Sequence, residues 1–151
     1  MAGQKSNFAA KQWKTDLQIN HDQITDIIRE AADREILPLW QKLEAHQIEL
    51  KQPGDAVTVA DKASEKRLTE ELQALLPGSL VIGEEAVQAN PSLMTALDSV
   101  RPVWVIDPLD GTNNFAAGER PFAVMVCLIH HGETLAAWIY EPVEQSMLQA
   151  E

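Results

Sequence analysis

Several features that define other classes of protein are scarce in this sequence. Cys127 is the single cysteine, so no disulfide can form within the chain. Residues 1–7 lack the apolar core of a secretory signal peptide, and no apolar run approaches the length of a membrane span. Basic residues number 12 against 23 acidic ones, whereas nucleic-acid and anionic-membrane surfaces need clustered Lys and Arg. We therefore expect a cytoplasmic protein with neither nucleic acid nor a membrane as a partner.

The composition that remains is typical of one globular domain. The chain has 151 residues, of which 45% are apolar, and this is enough to bury a sizeable core. Cys127 lies in the apolar run 122–129, and we interpret it as a small buried hydrophobic residue rather than a nucleophile. The net charge of −11 favours solubility, and bound cations would cancel part of it.

Helical patterns occupy the first half of the chain. Residues 1–19 are polar and aperiodic, and they are predicted to form a mobile arm that precedes a domain over residues 20–151. Asn20 is predicted to cap the first helix, with Gln23 completing a capping box. Apolar spacing predicts that this helix continues beyond Pro38, with only a kink at the proline. A second helix is predicted to open at Asp61 and to end at Pro77-Gly78.

The second half is predicted to be mostly strands. Short strands are expected at 80–82 and 103–106, with a short helix between them from about residue 90 to 97. A hairpin is expected around His131-Gly132, whose histidines are interpreted as solvated, and a further strand follows near 145–149. Two long helices followed by strands indicate an α+β or layered α/β fold in which the helices pack on a largely antiparallel sheet.

Three acidic residues follow the predicted strands directly. Glu84 follows the first strand, Asp107 follows the second, and Asp110 comes three residues later. Alone, Glu84 is also consistent with a solvated turn and Asp107 with a cap. Side by side, buried carboxylates are unfavourable unless a cation neutralises them, and Mg²⁺ prefers such oxygen ligands. Since sites in α/β proteins commonly lie where strands end, we expect these acids to meet at one sheet edge.

Three motifs occur in a recognisable order. Residues 55–61 read Asp-Ala-Val-Thr-Val-Ala-Asp, residues 82–85 read Ile-Gly-Glu-Glu, and residues 107–115 read Asp-Pro-Leu-Asp-Gly-Thr-Asn-Asn-Phe. Each motif alone is weak evidence. Together, in this order, they resemble the N-terminal part of the inositol monophosphatase family, which consists of Mg²⁺-dependent, lithium-sensitive phosphomonoesterases. The resemblance runs from the first predicted helix to the last residue. The family's Trp-Asp-x-Ala-Ala segment, which carries a further metal-binding Asp, does not occur in this sequence.

The resemblance implies a fold, a cofactor and a reaction. The fold is the N-terminal metal-binding part of a sugar-phosphatase-type protein, without the C-terminal domain. The cofactor is Mg²⁺, with two or more ions and Mn²⁺ as an alternative, and the reaction is hydrolysis of a small phosphomonoester by a metal-activated water. The implied metal ligands are Glu84, Asp107, Asp110 and the backbone carbonyl of Leu109. The implied catalytic residues are Asp61, Thr112 and Glu84, and the implied phosphate-binding residues are Asp110, Gly111 and Thr112.

Other positions near the motifs leave alternatives open. Asp61 is equally consistent with a plain helix cap, and both roles can hold at once. Lys51 matches a family Lys on a loop over the metals, but an exposed tether fits its sequence context nearly as well. Glu85 is expected to support the site without ligating. Asn113 replaces a Thr found in many members, and Ala116-Ala117 replaces an apolar-His pair, which changes substrate contacts rather than metal binding.

The resemblance favours inositol monophosphate as the substrate, because Asn114-Phe115 ends the signature as in the inositol phosphatases. Histidinol phosphate, fructose 1,6-bisphosphate and 3′-phosphoadenosine 5′-phosphate stay open. A different reading is a truncated, non-catalytic metal-binding fragment or homologue that acts through self-association or a partner. Because the strands after Phe122 are apolar on both faces, we expect a homodimer or self-association and poor activity of this chain alone.

Overall fold

The computed structural model describes residues 17–151. The predicted arm lies outside the described residues except for positions 17–19. Between residues 17 and 151, no helix is both long and apolar enough to cross a membrane.

The first helix, α1 (His21–Ala31), has the predicted N-cap but ends earlier. The Asn20 side chain accepts a hydrogen bond from the Gln23 backbone N–H at 3.1 Å. After Ala31 the chain forms one π-helical turn (Ala32–Ile36) and one 3₁₀ turn (Leu37–Leu39), and then becomes extended at Trp40. The prediction of a helix that resumes beyond Pro38 is therefore wrong. A proline lacks the N–H that an α-helix needs at this position, so the helical hydrogen-bond ladder stops there.

A small hairpin precedes the second helix. Strands β1 (Ile48–Gln52) and β2 (Asp55–Thr58) pair antiparallel around a turn at Pro53-Gly54, and neither strand is predicted from the sequence. Helix α2 (Val59–Leu75) follows β2 directly and ends before Pro77-Gly78, as predicted. Its N-cap is Thr58, and Asp61 is the third residue of the helix, so the expectation that Asp61 opens the helix is corrected.

A five-stranded sheet follows, in the order β3-β4-β5-β6-β7. Its strands are β3 (Leu80–Gly83), β4 (Val103–Asp110), β5 (Ala123–His130), β6 (Glu133–Glu141) and β7 (Ser146–Ala150). Strands β3 and β4 are parallel and every later pair is antiparallel. Between strands lie α3 (Glu84–Ala89), a 3₁₀ helix (Pro91–Asp98) and α4 (Thr112–Ala116). This confirms the predicted α+β fold with a largely antiparallel sheet.

Two local expectations and one alternative are wrong. Strand β4 does not stop at Asp107 but continues to Asp110, because its register against β5 shifts between these residues and accommodates the extra length as a bulge. Glu84 is not in a turn; it is the first residue of α3. His130 is not solvated: it is 6% exposed, and its Nε2 lies 3.0 Å from the Val100 carbonyl oxygen.

The two faces of the sheet differ in burial. Alternate residues such as Trp104, Leu128 and Trp138 are fully buried in one core with helices α1 and α2. The alternating partners on the opposite face are half-buried or exposed; they are Val105, Met125, Cys127, Ala137, Ile139 and Leu148. We call this second set the open face. Cys127 belongs to it, so the expectation of a fully buried cysteine is wrong in extent.

Candidate metal and catalytic site

The predicted acidic residues gather where the parallel strands end. Gly83 pairs with Ile106 in the β3–β4 register, so the next residues along each strand, Glu84 and Asp107, become neighbours. A cleft of about 240 Å³ opens at this edge. Its lining comprises Asp55, Glu84, Asp107, Leu109, Asp110, Gly111, Thr112, Asn113 and Asn114. All four implied metal ligands therefore border one cleft, as the strand-end argument predicts.

The electrostatics of the cleft are those of crowded carboxylates. Burial, followed by a hydrogen bond with Glu84 and by the negative charges of Glu84 and Asp110, raises the pKa of Asp107 to about 7. The Leu109 backbone N–H donates to Asp107 Oδ1 at 3.2 Å, which partly opposes this increase. Near neutral pH, Asp107 is thus only partly ionised, and it is hydrogen-bonded to Glu84. A divalent cation is the chemical species that would relieve this repulsion.

The oxygen atoms that border the cleft are of the chemical type that binds a hard cation, but they do not surround one position. Carboxylate and carbonyl oxygens are the ligands that Mg²⁺ prefers. Over residues 17–151, however, no group of three acidic, His or Cys side chains converges on one cation position. The acids border the same cleft without forming a closed cage.

Lys51 lies next to this cleft, in contact with Glu84 and Glu85. Its ammonium nitrogen is 2.8 Å from Glu85 Oε1 and 3.6 Å from Glu84 Oε1, and its side chain is only 8% exposed. Burial lowers the Lys51 pKa, but the hydrogen bond to Glu85 and nearby carboxylate charges raise it overall. Lys51 stands in strand β1, not on a loop, and the alternative of an exposed tether is wrong. Burial also raises the pKa of Glu85, whose carboxylate contacts Lys51.

The Asp61 carboxylate uses its two oxygens for different purposes. Oδ2 accepts from the backbone N–H and the hydroxyl of Thr58, at 2.8 and 2.7 Å, which forms the capping box of α2. Oδ1 accepts from the Thr112 hydroxyl at 2.8 Å. Asp61 is completely buried, and this burial raises its pKa despite these hydrogen bonds. The structural and the site-facing alternatives for Asp61 thus coexist in one side chain.

Thr112 is also close to a second oxygen. Its hydroxyl lies 2.8 Å from the Leu109 carbonyl oxygen. A hydroxyl carries one proton, so in any one arrangement it donates fully to either Asp61 or Leu109. Residue 111 is glycine for two reasons: its φ is +83°, and a Cβ there would lie 2.8 Å from the Pro121 carbonyl oxygen. Gly111 and Thr112 both border the cleft, and their phosphate-binding role stays a prediction.

Sequence reasoning missed the supporting role of three side chains at the cleft. The Asn113 amide donates to the Gly54 carbonyl at 2.7 Å and accepts from the Ala56 N–H at 3.0 Å, so it ties the β1–β2 hairpin to α4. Glu65 accepts hydrogen bonds from the first residues of α3. Ser64 lies 3.4 Å from the Pro108 carbonyl oxygen. The available signal was helical spacing, because Ser64 and Glu65 follow Asp61 by three and four residues and so share its face of α2.

Comparison with known proteins identifies relatives along most of the chain. The model of the inositol monophosphatase family matches residues 19–151. An inositol-1-monophosphatase of Bacillus subtilis is 36% identical over 124 residues, which cover 82% of this chain and 44% of that protein. A protein of Xylella fastidiosa named Nus factor SuhB is 33% identical over 110 residues, covering 72% of this chain and 37% of its own.

Solved structures agree with the sequence relatives. The crystal structure of the extragenic suppressor protein suhB from Bartonella henselae matches with a TM-score of 0.69 and 28% identity. The match covers 85% of this chain and 48% of that one. The chain therefore spans less than half the length of each of these relatives.

The fold and the cleft together define an α+β protein of the sugar-phosphatase type, with helices on one face of a mixed sheet and carboxylates at the ends of its parallel strands. Within that class, the chain belongs to the inositol monophosphatase family.

Proposed function

We propose that this chain is the metal-binding part of a Mg²⁺-dependent phosphomonoesterase whose substrate is inositol monophosphate. The observation that carries the proposal is the position of Glu84, Asp107, Leu109 and Asp110 around one cleft, next to the Thr112–Asp61 pair. The names of the relatives support the substrate class, since the Bacillus subtilis protein is an inositol-1-monophosphatase. Histidinol phosphate, fructose 1,6-bisphosphate and 3′-phosphoadenosine 5′-phosphate are the alternative substrates.

The four oxygen donors would hold the cations. The carboxylates of Glu84, Asp107 and Asp110 and the carbonyl of Leu109 provide hard ligands for two Mg²⁺ ions, or for Mn²⁺ in their place. Such cations, when bound, lower the pKa of a bound water and neutralise charge on the phosphate.

The protein's own contribution is to orient the water and the ester. With the Leu109 carbonyl used as a ligand, Thr112 donates its single proton to Asp61. The free lone pair of the Thr112 hydroxyl would then accept a hydrogen bond from the attacking water and so aim the water oxygen at phosphorus. Asp61 holds Thr112 in this orientation because its other oxygen is fixed by Thr58. The backbone N–H groups of Gly111 and Thr112, at the rim of the cleft, receive the phosphate oxygens.

A second candidate is a metal-binding module without turnover. It concerns the matched span alone, which is 44% of the Bacillus subtilis relative. Such a module would act through self-association or a partner.

Calorimetric titration and a phosphate-release assay separate the candidates. Mg²⁺ and Mn²⁺ are titrated into wild type, Asp110→Asn and the control Glu70→Gln, which removes the same charge from an exposed position on α2. Metal binding that is lost in Asp110→Asn and kept in Glu70→Gln supports the metal site. Equal weak binding by all three proteins refutes it.

Phosphate release is then measured with inositol 1-phosphate and the alternative substrates. Release that depends on Mg²⁺, and that Asp110→Asn abolishes with an unchanged circular dichroism spectrum, supports the enzyme. Metal binding with no release from any ester supports the non-catalytic module.

A further inference from the structure

We propose that Glu65 is a positioning residue for Glu84, acting through the first turn of helix α3, and that residue 83 is glycine to leave room for it. The inference deepens the proposed function, on which it rests, because it names a residue that sets one predicted metal ligand without touching metal or substrate.

Both oxygens of Glu65 bind the backbone that carries Glu84. Oε2 accepts from the Glu85 N–H at 2.7 Å, and Oε1 accepts from the Ala86 N–H at 2.9 Å. These are N–H groups of the first helical turn, which have no partner within the helix. Helix α3 has only six residues, and Gly83, at its N-cap, offers no side-chain hydrogen bond. Glu65 therefore supplies from a distant helix the cap that the local sequence lacks.

The Glu65 side chain is held in a fixed position by its surroundings. It is 8% exposed and stands on α2, a helix of 17 residues. A carboxylate with two charge-assisted hydrogen bonds in a largely buried setting has little freedom to rotate. Since Glu84 immediately precedes Glu85 in α3, fixing the Glu85 N–H restricts the backbone of Glu84 and so the direction of its side chain.

Gly83 shows that this contact is close. A Cβ at residue 83 would lie 2.3 Å from Glu65 Cδ and 2.4 Å from Oε1, far inside any van der Waals distance. The backbone at Gly83 has φ −101° and ψ 148°, which any residue adopts. Space rather than conformation thus requires glycine here. The glycine of the Ile-Gly-Glu-Glu motif is thus explained by a side chain 18 positions earlier in the sequence.

The same helix positions the other side of the cleft. Asp61, one turn before Glu65, accepts the Thr112 hydroxyl at 2.8 Å. Adjacent turns of helix α2 therefore contact both sides of the cleft. Asp61 binds Thr112, and Glu65 binds the backbone next to Glu84. A residue that only stabilised α3 would have no effect on metal affinity in a folded protein, and this difference can be measured.

The experiment compares Glu65→Gln with Leu72→Val in the whole chain. Glutamine keeps the size of the side chain but replaces one acceptor oxygen by a donor NH₂, so one of the two hydrogen bonds is lost. Leu72 is fully buried on the same helix, two turns after Glu65, and its shortening to valine lowers stability without changing a carboxylate. If Glu65→Gln does not fold by circular dichroism, Glu65→Asp, which keeps the charge and shortens the reach, takes its place.

Two quantities are recorded in each folded variant. The first is Mn²⁺ affinity, which we expect to weaken about tenfold or more in Glu65→Gln and to stay unchanged in Leu72→Val. The second is the ¹³C shift of the Glu84 carboxyl carbon in metal-free protein, which we expect to move only in the Glu65 variant.

The two readouts distinguish failure of this inference from failure of the proposed function. An unmoved Glu84 signal in the Glu65 variant overturns the inference, whether or not metal binds. Wild-type affinity in that variant also overturns it. A moved Glu84 signal together with no Mn²⁺ binding by wild type supports the positioning role and refutes the metal site.

Discussion

Thr112 Oγ1 lies 2.8 Å from Asp61 Oδ1, although the two residues are 51 positions apart. The other oxygen of Asp61 is held by Thr58 at the start of α2. One buried carboxylate thus joins the cap of a helix to the cleft at the end of β4. Replacing Asp61 would disturb both, whereas replacing Thr112 tests the cleft side alone.

Thr112→Val is expected to destabilise the protein by about 1–3 kcal/mol, because it removes a hydrogen bond to a buried carboxylate while keeping the side-chain shape. Thr112→Ser retains the hydroxyl and serves as the matched control, with a smaller loss. Urea unfolding measures both.

In an assay of turnover, Thr112→Ala should lower kcat more than it raises KM, since orienting the water matters chiefly in the transition state. A change confined to KM would instead make Thr112 a substrate-binding residue.

Asp107→Asn is expected to stabilise the metal-free protein at alkaline pH. The folded pKa of Asp107 is about 7, above the ordinary value of 3.8, mainly because of burial. Between these values the folded state holds a proton that the unfolded state has released, so wild-type stability falls as the pH rises toward 7 and then levels off. Allowing for partial solvent exposure, we expect the variant to exceed wild type by about 1–2 kcal/mol at about pH 8.

Thermal unfolding of metal-free protein between about pH 5 and pH 8 checks this prediction, with Glu70→Gln as the exposed control. The advantage of Asp107→Asn should shrink toward the acid end. An advantage that is constant across this range would show that Asp107 does not carry the shifted pKa.

Gly83→Ala is expected to destabilise the protein by about 1–3 kcal/mol through overpacking against Glu65. In a Glu65→Ala background the clash disappears, and the same change at residue 83 should be close to neutral. The double-mutant cycle should therefore give a coupling energy of about 1 kcal/mol or more. If the changes in the free energy of unfolding are additive, the destabilisation by Gly83→Ala arises from the backbone and not from a clash with Glu65.

The chain alone is expected to self-associate through its open face and the edge strand β7. Leu148 is 64% exposed on this strand, beside the half-buried Ile139. A charge on an edge strand opposes pairing with another copy, so Leu148→Lys should shift the mass measured by light scattering toward monomer. Leu50→Lys, which adds the same charge at a leucine that is 68% exposed on β1, should not. A monodisperse wild-type monomer would contradict the prediction.

Local sequence patterns predict the regular elements well, with exceptions at their ends. The strands from Leu80 onward, the cap at Asn20 and the stop at Pro77-Gly78 follow from apolar spacing and capping chemistry. The first helix was overextended because apolar residues beyond Pro38 continue a helical spacing by coincidence; they pack onto the core from an irregular segment. Strand β1 was missed because its residues are exposed or half-buried and give little apolar signal. Strand β2 is mostly buried but only four residues long, which is too short for a clear pattern.

The sequence by itself determined the identity of the predicted ligands, because Glu84, Asp107 and Asp110 follow or end apolar strands and lie in recognisable motifs. Only the tertiary structure decided which side chains support them. Lys51 contacts the carboxylate of Glu85, which is 34 positions away in the sequence. Glu65 accepts a hydrogen bond from the backbone N–H of Glu85, which is 20 positions away. The burial of one sheet face and the exposure of the other were decided there as well. The reason is that periodicity records only neighbours one or two turns away, whereas these contacts depend on how α2 packs across β3 and β4 once the chain has closed the intervening loops.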